Sequence, residues 1–338
     1  MSSSSGGAFT EIAKLILSKG GAVFGVAMDE NVQARHICVR DEKELSKLQG
    51  SKYVQSIIGD TFKEAKEELQ KGRLVLFTGT PCQIAGLRNF LQKDYDNLYT
   101  LDLICHGVPS PRVFKDYIKC IERRIKEPVR HIKFRCKKSS WIFYNTGINP
   151  CVEKSHSCEN QECKYEGAYY SDPYIRVFLR DNILRSNCYE CPYTSIQRVS
   201  DFTLADWWGY QEKEEMDKDY DKKGVSLILC NTAKAVDMVK GWDMYVKERT
   251  VEEALKTNLS LKKPFPKPTS RELFWNEYDS KTFEEMIPLW MYPELIPLST
   301  YLRIYHRKWG RAYKTIRLYE RVMRKLRLNK LIIKVQAK

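Results

Sequence analysis

No stretch of this chain approaches the roughly 18–20 consecutive apolar residues that a membrane span requires. The opening Met1-Ser-Ser-Ser-Ser-Gly-Gly lacks the basic region and apolar stretch of a secretory signal. Both absences lead to the expectation of a cytoplasmic protein. In that compartment the eleven cysteines read as thiols and metal ligands rather than as a disulfide framework. Internal repeats are missing, and low complexity is confined to Ser2–Ser5. What remains is a chain of 338 residues, 43% hydrophobic and 30% charged, long enough for two domains and a sizeable core.

Excess positive charge is also missing from most of the chain. The net charge is +14, yet residues 301–338 hold 13 Lys or Arg and a single acid, Glu320. That segment alone carries +12, so the body is near neutral and no nucleic-acid partner is expected for it. Within the segment Leu302, Tyr305, Trp309, Tyr313, Ile316, Tyr319, Met323 and Leu326 form a helical stripe amid basic residues. Such a helix suits an anionic membrane surface, an acidic partner, or a resting place on the body with its basic face solvated.

Periodicity supplies the elements. Residues 8–19 have helical spacing, and Gly20-Gly21 ends them. Residues 22–27 read as a buried strand, 41–48 as a short helix and 61–71 as a stronger one. Arg73–Thr78 is a continuous apolar strand of the kind covered on both faces. A loop at Gly79–Gln83, a helix over 84–91 and a strand over 98–104 complete a βαβ unit. A helix over 111–126 follows. Aromatic strands and loops are expected at 131–135, 141–147 and 169–174, then a helix near 175–184. Residues 211–223 read as a charged loop, 225–230 as a strand and 233–246 as a helix, with helices only beyond the prolines at 264, 266 and 268. The fold class is α/β, with a mixed, mostly parallel sheet as its core, a second half that binds a cluster, and a helical C-terminal tail.

Thiols carry the chemistry. Cys188 and Cys191 form a C-x-x-C, a spacing that chelates one metal centre. Cys82 and Cys105 both follow apolar strands, where ligands gather in parallel sheets. The four thiolates suit an iron–sulfur cluster, with zinc as the physical rival. A structural zinc site more often pairs two C-x-x-C knuckles, and this chain has one. Cys38, Cys120, Cys136, Cys151, Cys158, Cys163 and Cys230 read mostly as small buried hydrophobes, although 151, 158 and 163 are close enough in sequence to hold a metal.

Two polar segments complete the inventory. Serines and Gly6-Gly7 directly before the first helix make a phosphate cradle, or simply a helix cap. In Gly50–Ser56, Lys52 is placed to pair with a phosphate and Tyr53 to stack on a ring, or both belong to a surface turn. His106 and Asp102 flank Cys105, but adjacent residues on an extended segment point apart, which argues against a Cys–His nucleophile. Trp207-Trp208 reads as packing near the metal loop. Asp201 and Asp206 read as acids that orient a ligand or sit solvated.

Six motifs in register resemble one family. They are Ser-Ser-Gly-Gly-x-Phe at 4–9, Gly-Ser-Lys-Tyr-Val-Gln-Ser at 50–56, Gly-Thr-Pro-Cys-Gln at 79–83, Cys-His-Gly-Val-Pro-Ser at 105–110, the C-x-x-C, and Ser-Asp-Phe-Thr with Asp-Trp-Trp-Gly at 200–209. The chain resembles the beta-subunit family of coenzyme F-420-reducing hydrogenases and dehydrogenases, which also includes 7-hydroxymethyl chlorophyll a reductase. The resemblance implies a flavin and iron–sulfur oxidoreductase. A [4Fe–4S] cluster would sit on Cys82, Cys105, Cys188 and Cys191, and FAD on Ser4, Ser5, Gly6, Gly7, Ser51, Lys52, Tyr53 and Thr80. It also implies three regions: a flavin-binding region at 1–65, a domain with the cluster cysteines at 66–255, and a basic helical tail at 256–338. Electrons would pass between a hydride carrier, coenzyme F-420-like or another, and a ferredoxin or other redox subunit. The ferredoxin-like segment of many bacterial members has no counterpart in this sequence, so the resemblance implies either a truncated member or one that borrows an external ferredoxin. The alternative is a non-catalytic zinc- or cluster-binding interaction module whose basic tail docks a partner.

Overall fold

Short apolar strands that need cover on both faces organise this chain, and the helices between them supply it. The structure is a computed structural model and describes residues 3–137, 141, 144–150, 163–208, 224–240, 242 and 244–291. Residues 1–283 form one compact unit and 284–338 a second, of which 284–291 are described.

The described strands are β1 (Ala22–Met28), β2 (Ala34–Val39), β3 (Val75–Thr78), β4 (Leu98–Leu103), β5 (Ile132–Cys136), β6 (Asn145–Pro150), β7 (Cys163–Ala168), β8 (Phe202–Asp206) and β9 (Ser226–Cys230). Six of them form one sheet in the order β2-β1-β3-β4-β8-β9. Strands β1, β3, β4 and β8 run parallel, and the edges β2 and β9 are antiparallel to their neighbours. The sheet is therefore mixed and mostly parallel, as the sequence implies. It also joins strands from the first 65 residues to strands as late as Cys230. Strands β5, β6 and β7 form a separate antiparallel sheet.

Alternation along the strands sorts side chains onto two faces. Val23 on β1, Leu76 on β3 and Leu101 on β4 pack with Ile12, Ala13, Ile16 and Leu17 of helix α1 (Ala8–Ser18). Phe24, Val75 and Phe77 pack on the other face with Ala65 and Leu69 of α2 (Thr61–Gln70), and with Ile84 and Leu87 of α3 (Pro81–Leu91). Each such side chain contributes about 1.5–3 kcal/mol by leaving water. The core beneath the loops at the strand ends is thus fixed from both sides.

Helix α4 (Pro111–Ile125) buries Val113, Phe114, Tyr117 and Ile121, and α5 (Pro173–Leu179) is capped by Asp172, which accepts from Ile175 N–H. Tyr174 of α5 joins Phe114, Tyr117 and Phe134 in an aromatic cluster. Helices α6 (Ala233–Lys240), α7 (Val251–Thr257) and α8 (Arg271–Tyr278) follow.

Several boundaries move. Strand β2, which periodicity did not single out, is an edge strand of mixed burial. The short helix at 42–47 is 3₁₀, fixed by Asp41, whose carboxylate accepts from Lys43 N–H. Helix α3 begins at Pro81, because proline suits the first helical position and Gln83 Oε1 accepts from Thr80 N–H at 2.9 Å. Cys82 therefore belongs to the first helical turn, not to a loop. Residues 169–174 form a turn and the start of α5, and α6 stops at Lys240. Among the described residues no helix is long and apolar enough to cross a membrane. The charged loop at 211–223, Cys151, Cys158, Gly209 and the tail at 301–338 lie outside the described residues.

Candidate cofactor site

The parallel strands deliver their loops to one edge. Cys105 lies two residues past the end of β4, in the segment Cys105–Ser110. This segment is stitched to residues 183–188 by backbone bonds: Ser110 N–H donates to Ile183 O at 2.8 Å, and Arg185 N–H to Val108 O at 2.9 Å. Val108 N–H donates to Cys188 Sγ at 3.4 Å. Gly107 makes this approach possible. Its φ is +138°, and a Cβ there would meet Leu184 Cδ1 at 2.7 Å. Cys82 is exposed in the first turn of α3, with its sulfur 3.2 Å from Thr80 Oγ1.

Two of the thiols, Cys105 and Cys188, feel the others. Burial pushes the Cys105 thiol up to about 12, and the charges of Cys188, Cys82 and Cys191 push in the same direction. Burial also raises Cys188, with Cys191 and Cys82 adding to it. All three stretches bring their sulfurs within electrostatic reach. Among the described residues, however, no three His, Cys, Asp or Glu side chains stand at gripping distance from a single ion. The donor set is thus right for a thiolate-bound centre, while the sulfurs are neighbours rather than a closed ligand shell.

Beside Cys105 opens a cavity of about 510 Å³. Ser4, Ser5, Ser51, Lys52, Tyr53 and Thr80 line it, as does Cys105. Gly6 and Gly7 do not. Gly7 takes φ +98° as the residue before α1, and a Cβ on Gly6 would come within 3.0 Å of Ser226 N. Helix α1 has no side-chain cap, and its first residues, Ala8, Phe9 and Thr10, border the cavity. Thr10 N–H already donates to Gly7 O at 2.9 Å, and the uncapped amides before it are of the kind that can receive a phosphate.

The serine hydroxyls are engaged in joining the loops. Ser4 Oγ accepts from Ser51 N–H at 2.7 Å and from Ser51 Oγ at 2.9 Å, while Ser5 Oγ donates to Val225 O at 2.7 Å. Gln83 Nε2 donates to Ser56 Oγ at 2.9 Å, so the Gly50–Ser56 turn is tied to α3 as well. Lys52 Nζ donates to Leu48 O (2.9 Å), Gln49 O (2.8 Å) and Lys47 O (3.4 Å). Burial pulls this amine down to about 7, whereas the three carbonyls favour its charged form. The Tyr53 ring packs against Phe134 and Phe178 at 5.6 and 5.5 Å, and its carbonyl accepts from Tyr174 Oη.

Two ion pairs and a histidine–aspartate hydrogen bond lie at or near this edge and follow no local sequence pattern. Arg135 Nη1 meets Asp206 Oδ2 at 2.6 Å on the cavity wall. Arg198 Nη2 meets Asp102 Oδ2 at 2.9 Å, fully buried. His106 Nε2 meets Asp181 Oδ1 at 2.6 Å, so His106 and Asp102 serve different partners and neither pairs with Cys105. The available signal was Asp102 itself, an acid inside the apolar Leu101-Asp-Leu strand, which burial obliges to find a cation.

Asp201 is 1% exposed and accepts from Thr100 N–H and Oγ1, each at 2.8 Å, so it is neither solvated nor part of the cavity. Trp207 packs with Leu227, Ala254 and Leu261, and Trp208 stacks on Trp141 at 5.0 Å along the cavity wall. Cys136 is buried, but Cys38, Cys120, Cys163 and Cys230 are only half-buried, at variance with the reading of core thiols. They sit on helix and strand faces that are not fully covered.

These elements define a class, an α/β protein with a mixed, mostly parallel sheet and a cavity bordered by the loop that carries Cys105. The chain belongs to the family described as the C terminus of the coenzyme F420 hydrogenase/dehydrogenase beta subunit, whose model matches residues 72–254. That family is one of redox subunits, which places the chain among the oxidoreductases. No curated protein matches it. Among solved structures, the chain is similar to one in the F420-reducing [NiFe] hydrogenase complex from Methanosarcina barkeri. The match has 12% identity and a TM-score of 0.45, and covers 71% of this chain and 72% of that one.

Proposed function

We propose that this protein is a flavin and iron–sulfur oxidoreductase that holds FAD in the 510 Å³ cavity and a [4Fe–4S] cluster on Cys82, Cys105, Cys188 and Cys191. One observation carries the reading: Cys105 belongs at once to the thiol quartet and to the wall of the cavity lined by Ser4, Ser5, Ser51, Lys52, Tyr53 and Thr80. A flavin when bound exchanges hydride for single electrons, which an iron–sulfur centre carries one at a time. The residues of the chain bind and orient. The uncapped turn of α1 receives phosphate, the Ser4–Ser51 and Ser56–Gln83 links hold the loops together, and Tyr53, Tyr144 and Trp208 give the cavity flat aromatic walls. Arg135, pinned by Asp206, keeps a fixed positive charge in that wall.

The reading extends to partners. A ferredoxin or other redox subunit exchanges electrons at the exposed Cys82 edge, and the basic segment 301–338 docks an anionic surface. The reading places the protein in the cytoplasm, where thiols serve as metal ligands more often than as disulfides. The hydride carrier is coenzyme F-420 or a relative of it.

Anaerobic purification followed by absorbance, EPR, iron and flavin analysis tests this. Flavin and four irons per chain are expected for one such cluster. A colourless, iron-free protein ends the reading. One zinc per chain without flavin transfers the site to a non-catalytic module. Removing residues 301–338 should weaken ferredoxin binding and leave cofactor content unchanged, and pelleting with anionic vesicles separates a membrane surface from a protein one.

A further inference from the structure

Arg198 is the most heavily bonded side chain near the cysteines, and no motif contains it. Its side chain is 1% exposed and that of Asp102 is 0%. Arg198 Nε donates to Thr203 Oγ1 at 3.1 Å. Nη1 donates to Tyr193 O at 2.9 Å and to Ser195 O at 3.1 Å. Nη2 donates to Leu103 O at 3.1 Å and meets Asp102 Oδ2 at 2.9 Å. The last is a charge contact more than an aligned hydrogen bond, since Asp102 takes its well-aligned bond at Oδ1 from Thr203 Oγ1 at 2.6 Å.

These partners fall in three places: the end of β4, two residues before Cys105; strand β8; and the chain just after Cys191. Backbone bonds already tie residues 105–110 to 183–188 on the other flank. The C-x-x-C loop is thus held at both ends, by main-chain pairing before Cys188 and by one guanidinium after Cys191.

We propose that Arg198 is a positioning residue that sets the C-x-x-C loop against the strand carrying Cys105, so that both cysteine arms meet one inorganic centre. The inference rests on the cluster reading above. Only a planar fork of five N–H donors can reach five oxygens on three segments at once. A lysine ammonium offers three donors from a single point.

The test uses the full chain, reconstituted anaerobically with iron and sulfide, as wild type, Arg198→Lys and Thr203→Val. Thr203→Val keeps a β-branched residue in β8 and removes the hydroxyl that Arg198 and Asp102 share with Asn231 and Ser200. Iron retention against a chelator, the EPR line shape of the reduced cluster and the flavin content are measured. Arg198→Lys should weaken retention by about 10–100-fold, as loss of outer-shell partners does at metal sites, and broaden the EPR signal while flavin stays bound. Thr203→Val should move both readings the same way by less, and it decides the matter if Arg198→Lys does not fold. Variants that retain iron and signal like an iron-loaded wild type overturn this inference and leave the cluster reading intact. An iron-free wild type overturns both.

Discussion

The two walls of the site are held by different chemistry. The cysteine arm is fixed by backbone pairing of 105–110 with 183–185 and by the buried Arg198–Asp102 contact. The serine arm is fixed by side-chain hydroxyls and amides, between half-buried Ser4 and Ser51 and between buried Ser56 and half-buried Gln83. Buried charged contacts are costly to leave unmade, whereas a neutral hydrogen bond near the surface is worth about 1 kcal/mol. The cysteine arm should therefore be stiff and intolerant of change, as an inorganic centre with fixed bond lengths needs. The serine arm is free to adjust to a ligand that enters and leaves.

The contrast is broken most severely at a ligand. Cys105→Ser removes the sulfur shared by the quartet and the cavity, and should abolish the cluster signal and electron transfer to a one-electron acceptor. Flavin bound by the serine arm should remain, within a few-fold in affinity. Iron and flavin analysis of the same sample checks this, and flavin lost together with iron would mean the arms are not separable.

That separability also marks what the sequence disclosed. The cysteines, the apolar strands and the Ser/Gly loop were legible because each is a local pattern. The Arg198 fork was not, since its contacts join residues 102, 103, 193, 195 and 203 and leave no periodic trace. Strand β2 was missed for a related reason: an edge strand covered irregularly shows no clean alternation. The start of α3 was misplaced because Pro81 reads equally well as part of a turn or as a first helical residue. Serine hydroxyls that join loops cannot be told in sequence from hydroxyls that touch a ligand.

A second, smaller effect probes helix α5, whose Phe178 packs on His106 next to Cys105. Asp172 is buried, caps α5, and accepts from Tyr117 Oη and Tyr165 Oη at 2.8 and 3.1 Å. Burial raises its carboxyl from 3.8 to about 6, against the pull of those hydrogen bonds. A group whose folded pKa lies above its unfolded value stabilises the fold most below the unfolded pKa, and that contribution is lost as pH rises through the folded one. Asp172 should thus favour the fold below about pH 4 and cease to by about pH 6, a difference of roughly 3 kcal/mol. Asp172→Asn should remove that slope, so the gap in unfolding free energy between variant and wild type should change across pH 4–6 and stay flat above. A gap constant with pH would show that the carboxyl ionises in the fold as it does in water.

The smallest effect belongs to the serine arm. Ser4 Oγ receives two hydrogen bonds from Ser51, one from the amide and one from the hydroxyl. Ser4→Ala removes the acceptor of both and leaves the half-buried Ser51 amide unpaired, at a cost of about 1 kcal/mol. Because these two loops line one cavity, the loss should appear as flavin binding weakened about fivefold, with iron content unchanged. Ser51→Ala keeps the amide bond and loses only the hydroxyl bond, so its effect should be smaller than that of Ser4→Ala. Titration of the apo-flavin form of each variant with FAD gives the order directly. If Ser51→Ala proves the more damaging, its hydroxyl acts on the ligand itself, and the serine arm would then bind through its side chains as well as through the uncapped turn of α1.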